Sequence, residues 1–481
     1  MALIVGLVFH ASGEALQQLE SRPNLPVCRS ELWDLSQTEG WQIRFPALAA
    51  NESIATPEDR NRVLTVWRTL PAYLQKDIVN LRAGLASGYS APKSVVARVL
   101  KQLDGLPSAS PENSPFYAPA KRATDSEFKR ALRQEIESRI NPAIRQYADF
   151  LRTEYLPRAR DSVSLAALPN GKACYQAYLR RYTTTDDTPE FVFALGKKMV
   201  QESTAEIQGI GSRLYGKDRL PEIVQRSHDD PKNRFTSSAQ LLQFSKEMVE
   251  RAQQLSQSLF LQLPSQPVIV EPLPEYQNGS GLSAHYESNA DARKPATFWI
   301  AMDGWANETR GSAEITAVHE TVPGHHLQIA MARQLLIKPA FNAAYVEGWA
   351  NYAERLAEEQ NIDGDDYARI QRRVLAGRSL VIDPGIHALG WSREQAEAFA
   401  METGMSKDQA DDVIDRIAVE PGQLTSYEIG GQEILSLRES ARKRMGAKFD
   451  LRVFHQRVLE QGAIPLSTLR SHINTWIEAQ Q

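Results

Sequence analysis

Apolar residues recur at three- and four-residue spacing along most of this chain, a period that aligns them on one face only if the backbone is α-helical. Thr56-Pro57-Glu58-Asp59 supplies an N-cap, a first-turn proline and two acids, and Val63, Val66, Trp67 and Leu70 then follow at i, i+3, i+4 and i+7. Comparable faces run through residues 78–85, 128–155, 191–214, 239–261, 345–356, 369–380, 410–417 and 429–445. The sequence therefore specifies a mainly α architecture.

Two stretches interrupt that period. Pro107, Pro111, Pro115 and Pro119 recur among Ser, Asn and Ala, a proline density that opposes regular helix and reads as an exposed, mobile loop or linker. Taken as a boundary, it separates an N-terminal helical region, 1–120, from a larger helical region, 121–481; one continuous domain with a long loop is the alternative. Further on, Val268-Ile269-Val270 and Thr297-Phe298-Trp299-Ile300 are β-prone runs separated by Asn278-Gly279-Ser280-Gly281, which reads as a small antiparallel sheet. No internal repeat is visible.

Charge and composition narrow the function. The 55 Lys and Arg nearly balance the 59 Asp and Glu, leaving a net charge of −4, so bulk attraction to nucleic acid or to anionic lipid is not expected. With 42% hydrophobic and 24% charged residues, the chain has the composition of a globular protein. The longest apolar run, residues 1–9, is shorter than the roughly 20 residues a membrane helix needs and lacks the basic start of a secretory signal, although His10-Ala11-Ser12 gives it a weak signal-like look. Cys28 and Cys174 stand in no metal or redox spacing and read as two ordinary buried thiols.

Three of the nine histidines fall in His319-Glu320-Thr321-Val322-Pro323-Gly324-His325-His326. The segment begins like the His-Glu-x-x-His helix of zinc hydrolases, in which two imidazoles one turn apart bind the metal and the glutamate activates water. Here the position four after His319 is Pro323, and the next histidines come six and seven residues on. On a straight helix His325 would point about 120° away from His319, while His326 would share its face but sit roughly 10 Å along the axis. Proline removes a donor and crowds the His319 carbonyl, so a bulge at Val322 to Gly324 is expected, able to bring His325 back toward His319. The competing reading is a helix start with surface histidines.

A zinc site needs a third ligand and an open position for water. Glu347, 22 residues after His325, opens a helical stretch in which Glu347, Asn351 and Glu354 share a face. Val346, Trp349, Ala350 and Ala353 surround that face with apolar groups, so a carboxylate there calls for a partner.

Several separated motifs in order resemble the bacterial family catalogued as domain of unknown function 885: 319–328, 347–354, Asp383-Pro384-Gly385-Ile386-His387-Ala388-Leu389-Gly390-Trp391 and Tyr427-Glu428-Ile429-Gly430, with weaker matches at 155–160, 168–172, 183–185 and 449–455. The resemblance extends from about Cys28 to the C-terminus. It is grouped with the gluzincin metallopeptidases, which implies a two-lobed helical metallopeptidase-like fold with a deep cleft, the small sheet lying beside the metal-site helix. It further implies Zn2+ held by His319, His325 and Glu347, with Glu320 as the base. The related helical peptidases place a glycine directly before the second ligand histidine, as Gly324-His325 does, which selects His325 over His326.

The expectation is a zinc-dependent peptidase acting on small or unfolded peptides. The alternatives are a metal hydrolase of a non-peptide amide or ester, and a binding or scaffold protein that keeps the fold without turnover. Tyr427 and His387 are candidates to steady the developing oxyanion, and Arg378 and Arg438 to hold a substrate carboxylate. The strand at Thr297 to Ile300 is a candidate edge for an extended peptide. No nucleic-acid partner and no transmembrane segment are expected; the compartment is extracytoplasmic if an export signal lies upstream and cytoplasmic otherwise, and the oligomeric state is not encoded in any motif.

Overall fold

Helices account for nearly all of the regular structure in the computed structural model, which describes residues 26–108, 110–273, 284–289, 291, 293–335, 342–362 and 365–480. The apolar run at 1–9, the His10-Ala11-Ser12 segment and the Asn278 to Gly281 connection lie outside the described residues. Among the described residues, no helix is long and apolar enough to cross a membrane. The chain divides into two compact units: residues 1–175 with Asp415–Glu420, and residues 176–414 with 421–481.

In the first unit the predicted cap at Thr56 forms. Its hydroxyl accepts from Asp59 N at 3.0 Å while the Asp59 carboxylate accepts from Thr56 N, and the helix that follows, Pro57–Ala86, carries both apolar faces read separately at 63–70 and 78–85. The face at 128–155 is helical but contains two wide π turns, Ile136–Ile140 and Leu151–Tyr155. Each directly precedes an Xaa-Pro pair, at Pro142 and Pro157, where widening relieves the clash of the ring with the preceding turn.

The proline-rich segment is not the exposed loop that was expected. Its prolines start short helical turns at Pro111–Asn113, Pro115–Tyr117 and Ala118–Arg122, where the missing N–H costs nothing. Pro111, Phe116, Tyr117 and Pro119 are buried, and the Phe116 ring packs edge-on against Trp67 with centroids 5.2 Å apart. Nor are the cysteines free thiols: Cys28 and Cys174 form a disulfide with their Cα atoms 4.8 Å apart across a separation of 146 residues. Spacing in sequence carries no signal for a pair brought together only by folding. The segment Asp415–Glu420 joins this unit through Arg98 Nε to Asp415 Oδ2, 2.6 Å, and through Thr38, whose hydroxyl donates to Glu420 Oε1 at 2.8 Å.

The second unit contains the sheet. Its strands are β1 (Val268–Pro272), β2 (His285–Glu287) and β3 (Ala296–Ile300), in the order β1-β3-β2. The two strands expected to pair antiparallel are parallel, with Val268 opposite Ala296 and Pro272 opposite Ile300. The unforeseen β2 lies between them in sequence and pairs antiparallel with β3, placing His285 opposite Trp299. β3 is therefore the central strand and offers no free edge to a peptide, which corrects that expectation. Val270, Phe298 and Ile300 pack against Ala313 and Ala317, fixing the sheet beside the helix that carries His319; burial of side chains of this size contributes roughly 1.5–3 kcal/mol each.

Candidate metal centre

His319 and Glu320 end the helix Arg310–Glu320, whose N-terminus is capped by the Thr309 hydroxyl, which accepts from Ser312 N at 3.2 Å. Instead of bulging, as expected, the helix stops. Thr321 leaves helical geometry, the Val322–Pro323 peptide is cis, and a second helix, His325–Ala332, begins after Gly324. The turn is tight: Gly324 N donates to the Val318 carbonyl at 3.2 Å, and a Cβ on Gly324 would lie 2.0 Å from the His319 carbonyl oxygen. Only glycine fits there. The turn sets the His319 and His325 rings edge to face with centroids 4.6 Å apart.

Glu347 comes from the helix Ala343–Glu359, whose inward residues Tyr345, Trp349, Tyr352 and Leu356 are almost entirely buried. Two contacts fix its position. The Trp349 indole N–H donates to the Pro323 carbonyl at 2.8 Å, tying this helix to the turn between the two histidines. Gly348 meets Gly430 of the helix Thr425–Met445 so closely that a Cβ on Gly348 would lie 2.4 Å from the Gly430 Cα.

His319, His325 and Glu347 converge with one ligand atom each, all within 4.8 Å of one another. Glu347 Oε2 lies 3.6 Å from His319 Nε2 and 3.4 Å from His325 Nε2, and it is buried without a hydrogen-bond partner. Burial acts to raise the Glu347 carboxyl pKa, but the two imidazoles overcome it and hold the group well below the usual carboxylate range. Burial likewise works against charge on His319, yet Glu347 and Glu354 hold its pKa well above the ordinary value. The cluster thus draws positive charge to its centre, and its donor set of two imidazoles and a carboxylate is one that fits Zn2+.

His319 Nδ1 is 2.7 Å from Glu354 Oε1, so the second ring nitrogen is engaged and Nε2 is left to face the cluster. Sequence reading placed Glu354 on the same face as Glu347 without giving it this role. Tyr427 lies against the site, its ring stacked on His319 with centroids 6.0 Å apart. Glu320 turns to the sheet, where its Oε2 accepts from the Tyr286 backbone N–H at 2.9 Å. His326 faces away from the cluster: Nε2 donates to the Gln266 carbonyl at 2.9 Å, leaving Nδ1 to accept from the Tyr286 hydroxyl at 3.2 Å. Burial pushes the His326 pKa down to about 4, so the ring is neutral near pH 7.

His387 is fully buried at the end of the helix Arg378–His387 and is not one of the three clustered donors. The two arginines are corrected to structural roles. Arg378 is fully buried and donates to Ser203 Oγ at 2.6 Å and to the carbonyls of Arg373, Ala376 and Thr403. Arg438 forms a forked pair with Glu359 at 2.8 and 2.9 Å and lies over the Tyr352 ring.

The model of the family described as "Bacterial protein of unknown function (DUF885)" matches residues 8–473. The chain belongs to the DUF885 family. Solved structures resemble it, among them two of similar extent. One, described as "the putative lipoprotein" from Colwellia psychrerythraea, superposes with a TM-score of 0.86 at 26% identity, covering 93% of this chain and 81% of that one. The other, described as of unknown function and from Shewanella oneidensis, gives a TM-score of 0.72 at 19% identity over 97% and 86% of the two chains and shares the fold. No curated protein matches this DUF885 sequence.

Proposed function

We propose that this DUF885 protein is a zinc-dependent hydrolase that cleaves peptide bonds in small or unfolded peptides. The observation that carries the reading is the convergence of His319, His325 and Glu347 beside a fourth group, Glu320, that stands next to His319 in sequence but is not one of the three donors. His319 and His325 would hold the ion through Nε2 and Glu347 through a carboxylate oxygen. When bound, zinc supplies Lewis acidity that polarises a carbonyl and acidifies water.

The rest of the chemistry belongs to the chain. Glu320 takes the proton of the attacking water and passes it to the leaving amine. Tyr427, stacked beside His319, donates its phenolic proton in a hydrogen bond to the developing oxyanion. Glu354 holds His319 in the tautomer that leaves Nε2 free. A gluzincin-like, two-lobed peptidase with a substrate cleft is the architecture this reading expects.

An extracytoplasmic location fits the same reading. The Cys28–Cys174 disulfide belongs to oxidising compartments, and the similar protein from Colwellia psychrerythraea is described as "the putative lipoprotein". The test is metal analysis of protein purified without added metal, beside cleavage of a mixed peptide library with and without chelator. One zinc per chain and chelator-sensitive cleavage support the proposal; no zinc uptake, or cleavage indifferent to chelator, overturns it.

A further inference from the structure

Glu320 is held by a strand and not by its own helix. It is the last helical residue before the turn, and its carboxylate accepts from the backbone N–H of Tyr286 in β2. β2 is only three residues long, and among the described residues β3 is its sole strand neighbour. Three hydrogen-bonded residues are little to fix a strand.

What supplements that pairing is the histidine left out of the metal cluster. The His326 ring packs on Tyr286 with centroids 5.6 Å apart, accepts from its hydroxyl at Nδ1 and donates at Nε2 to the Gln266 carbonyl. Gln266 is itself buried, and its side-chain amide donates to the carbonyls of Lys294 and Asn289, bracketing the chain between β2 and β3. Arg333, just past the helix His325–Ala332, donates to Ser288 Oγ at 2.9 Å and to the Asn289 carbonyl. The ring of His326 thus spans from the strand to a buried carbonyl, the geometry of a latch.

Resting on the hydrolase reading, we infer that Tyr286 and His326 are positioning residues: their contact fixes β2 so that the Tyr286 N–H holds the Glu320 carboxylate in the orientation proton transfer requires. Neither is one of the three clustered donors. Loosening the latch leaves zinc binding and substrate affinity in place and degrades the orientation of the base.

The experiment compares zinc-loaded wild type with Tyr286→Phe, His326→Gln and the double variant by three readouts: zinc content, hydrogen–deuterium exchange of the 284–289 segment, and kcat and KM on a peptide the wild type cleaves. Tyr286→Phe removes a single hydroxyl, so the fold is retained. Expected are full zinc content, exchange at least several-fold faster in that segment, kcat lower by about tenfold with KM within twofold, and a double variant no worse than His326→Gln alone, since that substitution already removes the contact that Tyr286→Phe removes. Unchanged exchange and unchanged kcat in Tyr286→Phe would overturn the inference, as would losses that simply add. If the wild type cleaves no peptide, the hydrolase reading fails by itself; the latch is then supported by faster exchange alone and overturned by its absence.

Discussion

Glu354 Oε1 lies 2.7 Å from His319 Nδ1, seven residues along its helix from Glu347, so a single helix delivers both the carboxylate that converges with His319 and His325 and the one that engages the far nitrogen of His319. Arg372 donates to the Glu354 backbone carbonyl at 2.6 Å, fixing that turn. Glu354→Gln should lower zinc affinity by roughly 10- to 100-fold, the usual cost of losing such a support, with the fold unchanged. Competition with a chromophoric chelator measures it; unaltered affinity would deprive Glu354 of that role.

The two histidines that follow Gly324 should separate cleanly. His325 faces Glu347 Oε2 at 3.4 Å, whereas both ring nitrogens of His326 are engaged with Tyr286 and Gln266. His325→Ala should therefore lose zinc far more than His326→Ala in the same titration. The reverse order would move the ligand role to His326.

Backbone contact at Gly348 and Gly430 leaves no room for a methyl group. Gly348→Ala should cost about 1–3 kcal/mol, the usual range for overpacking, because one of the two helices must shift. Denaturant unfolding of the apo protein checks this; a variant as stable as wild type would mean the helices separate freely.

In the first unit, Asp77 accepts from the Tyr147 hydroxyl, yet burial pushes its carboxyl up to about 6 from an ordinary 3.8. The folded state then keeps a proton that the unfolded state has lost, so the stability Asp77 contributes is present below about pH 4 and is lost as pH rises through about 6. Asp77→Asn should gain on wild type in melting temperature between pH 4 and pH 7. A difference that does not change with pH contradicts the assignment.

Much of the helical architecture was legible because amphipathic period is a local property: the cap at Thr56 and the faces at 63–70 and 429–445 sit where the spacing put them. The face at 369–380 is split because Gly377, at φ 76°, ends one helix and starts another, a break its neighbours do not announce. The sheet was legible in its strands but not its pairing, since the reversing strand β2 is three residues of His, Tyr and Glu with no apolar alternation. For the site, residue chemistry singled out His319 and Glu347 and the family resemblance chose His325 over His326, while the contacts around them, Glu354 on His319, Tyr286 on Glu320 and Trp349 on Pro323, join residues 35, 34 and 26 apart and leave no local trace. Arg378 and Arg438 were misjudged for the same reason: only the folded chain shows the carbonyls and the carboxylate that already occupy them.

The most direct test of the account is the rate of Glu320→Gln on a peptide that the zinc-loaded wild type cleaves, measured beside zinc content. Glutamine keeps the oxygen that accepts from Tyr286 N–H, so the substitution removes the base and little else. Full zinc content and a rate lower by roughly 10²- to 10⁴-fold or more, the range attributed to a positioned general base, are expected. A zinc-loaded Glu320→Gln protein that turns over at the wild-type rate would contradict the account.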